Sequence, residues 1–192
     1  MAVSRLHSSR VAQRRQTQIE DCLYEKMQTL PWSAISVADI CRDVGISRKA
    51  YYNYYKDKED CFCSYVSRLI RESLIYATQN LSAHSTPLEA TILLLDFWKH
   101  KKAFLDLVQK NNQVHLLVNC SVAYALQEDR SVLQMLNTES LPGDRDILSC
   151  YVAVQVTLIL LWHSRNFDTP TEEMARKLMR IMFEPLIHMI DL

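Results

Sequence analysis

The sequence predicts an all-α protein, and three observations carry that prediction. The 192 residues include only 2 Gly and 5 Pro, too few for the closely spaced Gly, Asn-Gly and Asp-Gly turns of a sheet-rich fold. Apolar residues recur with a period near 3.6 rather than alternating. N-cap residues followed three positions later by an acid recur along the chain. At 48% hydrophobic and 23% charged residues, the composition suits one or two compact domains with a sizeable core. Two glycines cannot supply a GxGxxG phosphate loop, and collagenous or linker-like classes are excluded as well.

The elements follow in order. Ile19, Cys22, Leu23, Met27 and Leu30 share a helical period, so a first helix runs from about Ser9 to Thr29. Pro31 stops it, because the residue before a proline is driven out of helical geometry, and Trp32–Ala34 connects. Ser36 opens Ser36-Val37-Ala38-Asp39, a capping pattern with Asp in place of Glu. Gly45 closes that short helix nine residues on. Ser47 caps a second short helix through Tyr55. Asp57 starts a long amphipathic one with Phe62, Val66, Leu69, Ser73, Ala77 and Leu81 on one stripe. Thr86-Pro87-Leu88-Glu89 and Thr169-Pro170-Thr171-Glu172 both place Thr at N-cap, Pro at N1 and Glu at N3. Helices are expected near 88–101, 103–110, 112–127, 145–165 and 170–190. Leu141–Asp144 is expected as a loop, and Pro185 as a kink in the last helix.

Charge and cysteine usage narrow the classes. The 22 basic and 22 acidic residues cancel, which argues against bulk, nonspecific affinity for nucleic acid or membrane. Placement differs from the sum. Residues 1–60 are +2 (10 basic, 8 acidic), and Arg5, Arg10, Arg14 and Arg15 meet no acid before Glu20. That start reads either as a solvated tail or as a basic arm for an acidic partner. None of the six Cys forms CxxC, and Cys61-x-Cys63 has no His at zinc-ligand spacing, so scattered reduced thiols in a core are expected. Cys120 and Cys150 read as inert thiols ahead of oxidant sensors. The apolar run Tyr151–Trp162 spans only 12 residues, too short to cross a bilayer. No signal peptide is legible, so a cytoplasmic location without a membrane partner is expected. No paired carboxylates, Ser-His-Asp arrangement or metal spacing can be read. Neither catalysis nor a metal or cofactor is expected.

The segment 36–58 carries the functional signal. Two short helices around a tight turn at Gly45 form a helix-turn-helix pattern. Ile40 and Val44 lie on one face of the first helix, and Cys41 is small where the two helices must approach. The second helix presents Arg48, Lys49 and Asn53. Arg and Lys suit guanine edges and phosphates, Asn suits adenine, and tyrosine hydroxyls suit phosphate oxygens. Tyr51 and Tyr55 fall on the inward phase.

Ile35 through Ser47, continued by Tyr51-Tyr52-Asn53-Tyr54-Tyr55-Lys56-Asp57-Lys58-Glu59-Asp60, resembles the DNA-binding domain of the tetracycline-repressor (TetR) family. The family pattern reads T-[VI]-x-D-I-A-x-x-A-G-V-S-x-x-x-[LF]-Y-x-[HY]-F-x-x-K-E-x-L, and the match covers about 50 residues once the first helix is included. Ser36 replaces Thr, Cys41 and Val44 replace Ala, Tyr51 replaces Leu or Phe, and Tyr55 replaces Phe. The resemblance implies a three-helix helix-turn-helix domain over 1–57 and a helical ligand-binding and dimerisation domain over 58–192. It implies phosphate contacts at Tyr52 and Lys58, and a backbone-facing helix start at Ser36. Arg48, Lys49, Ala50 and Asn53 become the base readers, with Arg42 and Tyr54 as secondary phosphate candidates.

One reading helix covers few base pairs, whereas two copies about 34–36 Å apart read a palindrome. A homodimer through the helices near 145–165 and 170–190 is therefore expected, as a four-helix bundle. The resemblance further implies a small-molecule effector, for which Phe97, Trp98, Phe104, His115, Tyr124, Trp162 and His163 could line a pocket. The function so implied is a repressor on a palindromic operator, released by that effector. The alternative is a regulator without an inducer, controlled by a protein partner. Operator sequence, effector identity, regulated genes and the sign of regulation are not legible.

Overall fold

The computed structural model describes residues 10–82, 84–127 and 145–183. The described residues form nine α-helices: α1 Arg10–Thr29, α2 Val37–Val44, α3 Arg48–Tyr52, α4 Lys58–Asn80, α5 Pro87–His100, α6 Lys102–Lys110, α7 Val114–Gln127, α8 Arg145–Ser164 and α9 Thr171–Phe183. A 3-10 turn, Trp32–Ala34, connects α1 to α2. The described residues contain no strand, so the fold is all-α as expected. Leu141–Asp144, Pro185 and Arg5 lie outside the described residues. No described helix is long and apolar enough to cross a membrane.

The chain divides into two compact units, Met1–Leu69 with Asp106–Cys120, and Ile70–Leu105 with Ser121–Leu192. In the first, α1 packs on α2 and α2 on α3. Its core buries Ile19, Leu23 and Met27 of α1 together with Ile40, Tyr51, Tyr55, Phe62 and Val66. Asp106–Cys120 adds Val108 and Leu117, and the Asn111 amide donates to the Met27 carbonyl at the end of α1 (3.3 Å). In the second unit, α9 packs on α5 and α8, and α5 on α8. Leu94, Leu95, Trp162, Met174 and Leu178 are buried there.

Capping chemistry explains four successive helix starts, those of α2 to α5. Ser36 Oγ accepts from the Asp39 amide (3.2 Å), Ser47 Oγ from Ala50 (3.1 Å), and Asp57 Oδ1 from Asp60 (2.8 Å). Thr86 and Glu89 make a reciprocal capping box ahead of Pro87. The matching pattern at Thr169 behaves differently. Helix α9 begins at Thr171, the Thr169 hydroxyl donates to Asp168 (3.0 Å), and the Thr169 carbonyl accepts from the Trp162 indole (3.0 Å). The Thr169 hydroxyl thus turns back to its neighbour in the preceding turn rather than forward over the first turn of α9.

Two further expectations are corrected. Helix α3 stops at Tyr52 rather than Tyr55: the amides of Asn53 and Tyr54 reach back three residues, to Ala50 (3.3 Å) and Tyr51 (2.8 Å), and tighten the chain into a turn. The cysteines are not all reduced: a disulfide joins Cys63 of α4 to Cys120 of α7. No spacing rule announces a pair 57 residues apart, because packing alone brings the two helices together.

Candidate nucleic-acid interface

The turn between α2 and α3 sets the site. Gly45 adopts φ +70° and ψ +40°, the left-handed conformation that costs a residue with Cβ free energy. The Gly45 amide returns to the Arg42 carbonyl (3.2 Å) and the Ile46 amide to Cys41 (2.9 Å), closing α2. The chain then enters α3 at the Ser47 cap.

From α3 onward the tyrosines divide by phase. Tyr51 is 0% and Tyr55 2% exposed. The Tyr51 hydroxyl donates to the Asp57 carbonyl (3.0 Å) and the Tyr55 hydroxyl to Glu20 Oε1 (3.0 Å). Burial drives both phenols well above their ordinary range, so both act as neutral donors. Tyr52, between them, is 48% exposed. Arg48 reaches the Tyr52 hydroxyl (3.5 Å), while Arg48, Lys49 and Asn53 are exposed and Ala50 half-buried. Four of the expected reading and phosphate residues thus share one accessible surface on or beside a single five-residue helix.

Ser36 is exposed at the start of α2 and donates to the Asp39 carboxylate (2.5 Å). That hydrogen bond, then the Arg42 guanidinium (2.5 Å), holds the Asp39 carboxyl below the usual carboxylate range. Arg42 also approaches Asp43 (3.5 Å), which pairs with Lys26 of α1 (2.5 Å). Arg10 and Arg14 are exposed and Arg15 half-buried on the first turns of α1, and Tyr54 is half-buried.

Lys58 occupies a place that spacing did not foresee. Its ammonium donates to the carbonyls of Trp32 (2.6 Å) and Ile35 (2.9 Å) and lies 4.6 Å from the centre of the Trp32 ring. Partial burial lowers its pKa. The side chain therefore clips the connector before α2 to the start of α4, with two of its three N–H groups engaged.

Behind this surface lies a polar network that the periodicity reading missed. Glu20 is 2% exposed. Its Oε1 accepts from Tyr55 (3.0 Å) and Ser64 (2.6 Å), and its Oε2 accepts from Arg68 Nε (2.8 Å). Arg68 also bonds Asp21, and Gln16 donates to Ser64 (3.1 Å). The available signal was placement. Glu20 is next to Ile19 and three residues before Leu23, on the buried stripe of α1, where a carboxylate must find donors.

Three solved structures resemble the chain along nearly all its length. A TetR-family transcriptional regulator from Syntrophomonas wolfei str. Goettingen has a TM-score of 0.54 at 14% identity, covering 94% of this chain and 98% of that one. Thermus thermophilus FadR, a TetR-family transcriptional repressor solved with lauroyl-CoA, has 0.55 at 17%, covering 88% and 93%. The fatty acid degradation regulator FadR from Bacillus halodurans has 0.52 at 14%, covering 90% and 96%. The chain has the TetR-family fold. No family sequence model and no curated protein sequence matches it.

The expected pocket residues of this TetR-like fold are spread out. Phe97 and Trp98 are half-buried and meet edge to face (5.7 Å between centroids). Phe104, Tyr124 and Trp162 are buried, and Trp162 packs edge-on against Phe167 (4.9 Å) with Lys99 5.6 Å over its ring. His163 is buried near Phe167 (5.5 Å). His115 is exposed and belongs to the first unit, whereas the others belong to the second. A groove of about 560 Å³ opens along α1 and α2, lined by residues that include the charged Arg15, Asp21, Lys26 and Asp43. No described group of three or more His, Cys, Asp or Glu is placed to hold a metal ion.

Proposed function

We propose that the chain is a TetR-like transcriptional regulator, a repressor that reads a palindromic operator as a homodimer and is released by a small-molecule effector. One observation carries the reading: exposed Arg48, Lys49, Tyr52 and Asn53 stand together on or beside a short helix, with Tyr51 and Tyr55 anchoring its other face. Arg48, Lys49, Ala50 and Asn53 address base edges, and Tyr52 addresses phosphate. Ser36 addresses phosphate at the start of α2, and Lys58 through its remaining N–H group.

The reading assigns DNA binding to 1–57, and regulation and dimerisation to 58–192, in a cytoplasmic, non-catalytic protein. The dimer surface is assigned to α8 and α9. Leu161 and Cys150 are exposed on α8, Leu161 at 52%, which supports that choice. The effector site is assigned to the aromatics of 97–104 with Tyr124 and Trp162, without His115. Because the Thermus thermophilus structure holds lauroyl-CoA, a fatty acyl thioester is the first effector class to test.

The test is binding of the purified protein to the DNA upstream of its own gene. A protected palindrome, an affinity that falls steeply with salt, and loss of binding on adding acyl thioester are expected. A stable monomer at micromolar concentration, or unchanged operator affinity in Arg48→Ala, Asn53→Ala and Tyr52→Ala, overturns the reading. Operator binding that no small molecule disturbs leaves the partner-controlled form of the regulator.

A further inference from the structure

The Cys63–Cys120 bond lies inside the first unit. Its Cα atoms are 5.0 Å apart, a separation that a disulfide spans without moving the backbone. The two sulfurs differ in access, since Cys63 is half-buried and Cys120 buried. Other thiols of the same unit are poor competitors. Cys41 and Cys61 are buried, and burial pushes the thiols of Cys22, Cys41 and Cys61 up, away from the reactive thiolate. Cys150 belongs to the second unit.

We propose that Cys63 and Cys120 are a reversible redox modification site, in which Cys63 is the thiol oxidised by a hydroperoxide and Cys120 the thiol that resolves it. The Cys63 thiolate attacks one peroxide oxygen. An S–O bond forms, the O–O bond breaks, and the leaving alkoxide takes a proton to become an alcohol. Cys63 is thereby oxidised by two electrons to a sulfenic acid while the peroxide is reduced. Cys120 then attacks the sulfenic sulfur, the S–S bond forms, and the S–O bond breaks with loss of water. Two thiols and one hydroperoxide give one disulfide, one alcohol and one water, and a small dithiol reverses the change. The closed bond staples Asp106–Cys120 to α4 at a point five residues beyond Lys58. The open form leaves that segment to its remaining contacts, Asn111 to Met27 among them. This inference does not depend on the DNA-binding reading.

The test uses the full chain. Native protein is reduced with dithiothreitol, desalted, exposed to one equivalent of hydrogen peroxide and alkylated, and each cysteine is read by peptide mass spectrometry. Reduction without unfolding should release Cys63 and Cys120 together, and peroxide should remove both while Cys22, Cys41 and Cys61 persist. In Cys120→Ser, dimedone should capture a sulfenic acid on Cys63. In Cys63→Ser, it should capture none on Cys120. A bond that opens only after denaturation, peroxide consumption at Cys22, Cys41 or Cys61 in place of the pair, or dimedone on Cys120 overturns the proposal. If Cys120→Ser does not fold, substoichiometric iodoacetamide on the reduced wild type gives the same order. Alkylation of Cys63 before Cys120 supports the proposal, and the reverse order overturns it.

Discussion

The two faces of residues 48–58 differ in what their polar groups touch, although tyrosine serves both. On the inner face, the Tyr51 and Tyr55 hydroxyls are spent on the Asp57 carbonyl and the Glu20 carboxylate. On the outer face, Tyr52 and Arg48 meet across 3.5 Å and remain accessible. A hydroxyl committed to a buried acceptor positions the chain. An exposed hydroxyl beside a guanidinium is available to an anion. Residue type does not distinguish these roles: helix rotation separates Tyr51 from Tyr52, and the turn after Tyr52 brings Tyr55 back to the inner face.

Substitutions should separate the faces, and the largest effect on stability belongs to Glu20→Ala. It removes the acceptor for Tyr55, Ser64 and Arg68 at once and takes the Glu20 carboxylate from the half-buried Arg68 guanidinium, which keeps Asp21. A loss of about 3–5 kcal/mol is expected in urea unfolding. A loss below about 1 kcal/mol would mean that the network is not what holds Tyr55. Lys58→Ala comes next. It takes the ammonium from the Ile35 carbonyl and leaves the Trp32 carbonyl only the Ile35 amide (3.2 Å), so it should lose about 1–3 kcal/mol of stability and also weaken binding to every duplex alike, lowering the salt slope by about one. If only DNA binding changed, the clip to Trp32 and Ile35 would be incidental.

Tyr51→Phe tests the inner face more gently. It keeps the ring and deletes one hydrogen bond, so about 1 kcal/mol should be lost in thermal or urea unfolding, with operator sequence preference intact. Arg48→Ala and Asn53→Ala should do least to the fold, within about 0.5 kcal/mol. Each should nonetheless cost about 1–3 kcal/mol of discrimination between operator and altered sites in competition binding. A large stability loss in either would place that residue on the inner face and break the comparison.

Much of the fold was legible because its signals are local. Ser36, Ser47, Asp57 and Thr86 cap within three residues of themselves, and Pro31 and Gly45 act through their own backbone dihedrals. The buried stripe Phe62, Val66, Leu69, Ser73 and Ala77 of α4 follows from period alone, whereas Leu81, expected on it, falls just past the end of α4 at Asn80 and is half-buried. The identical Thr-Pro-x-Glu pattern at Thr169 did not predict its cap: the helix starts at Thr171, the Thr169 hydroxyl turns back to Asp168, the Thr169 carbonyl takes the Trp162 indole, and Thr171 turns to Asp96 (2.6 Å). Of the candidate interface, the outer residues were legible from spacing and from the family resemblance. The acceptors behind them were not, since Glu20 and Ser64 are 44 positions apart.

The sequence by itself determined the helical class, most helix starts, the left-handed turn at Gly45 and the phase that sends Tyr51 inward and Arg48 outward. Each follows from dihedral preference, capping or period within a few residues. Only the tertiary structure decided that Asp106–Cys120 joins the N-terminal unit, that Cys63 finds Cys120, that Glu20 gathers Tyr55, Ser64 and Arg68, and that Lys58 closes on Trp32 and Ile35. Those are contacts between residues distant in the chain. Their partners are chosen by which buried donors and acceptors packing leaves to be satisfied, and no local pattern encodes that choice.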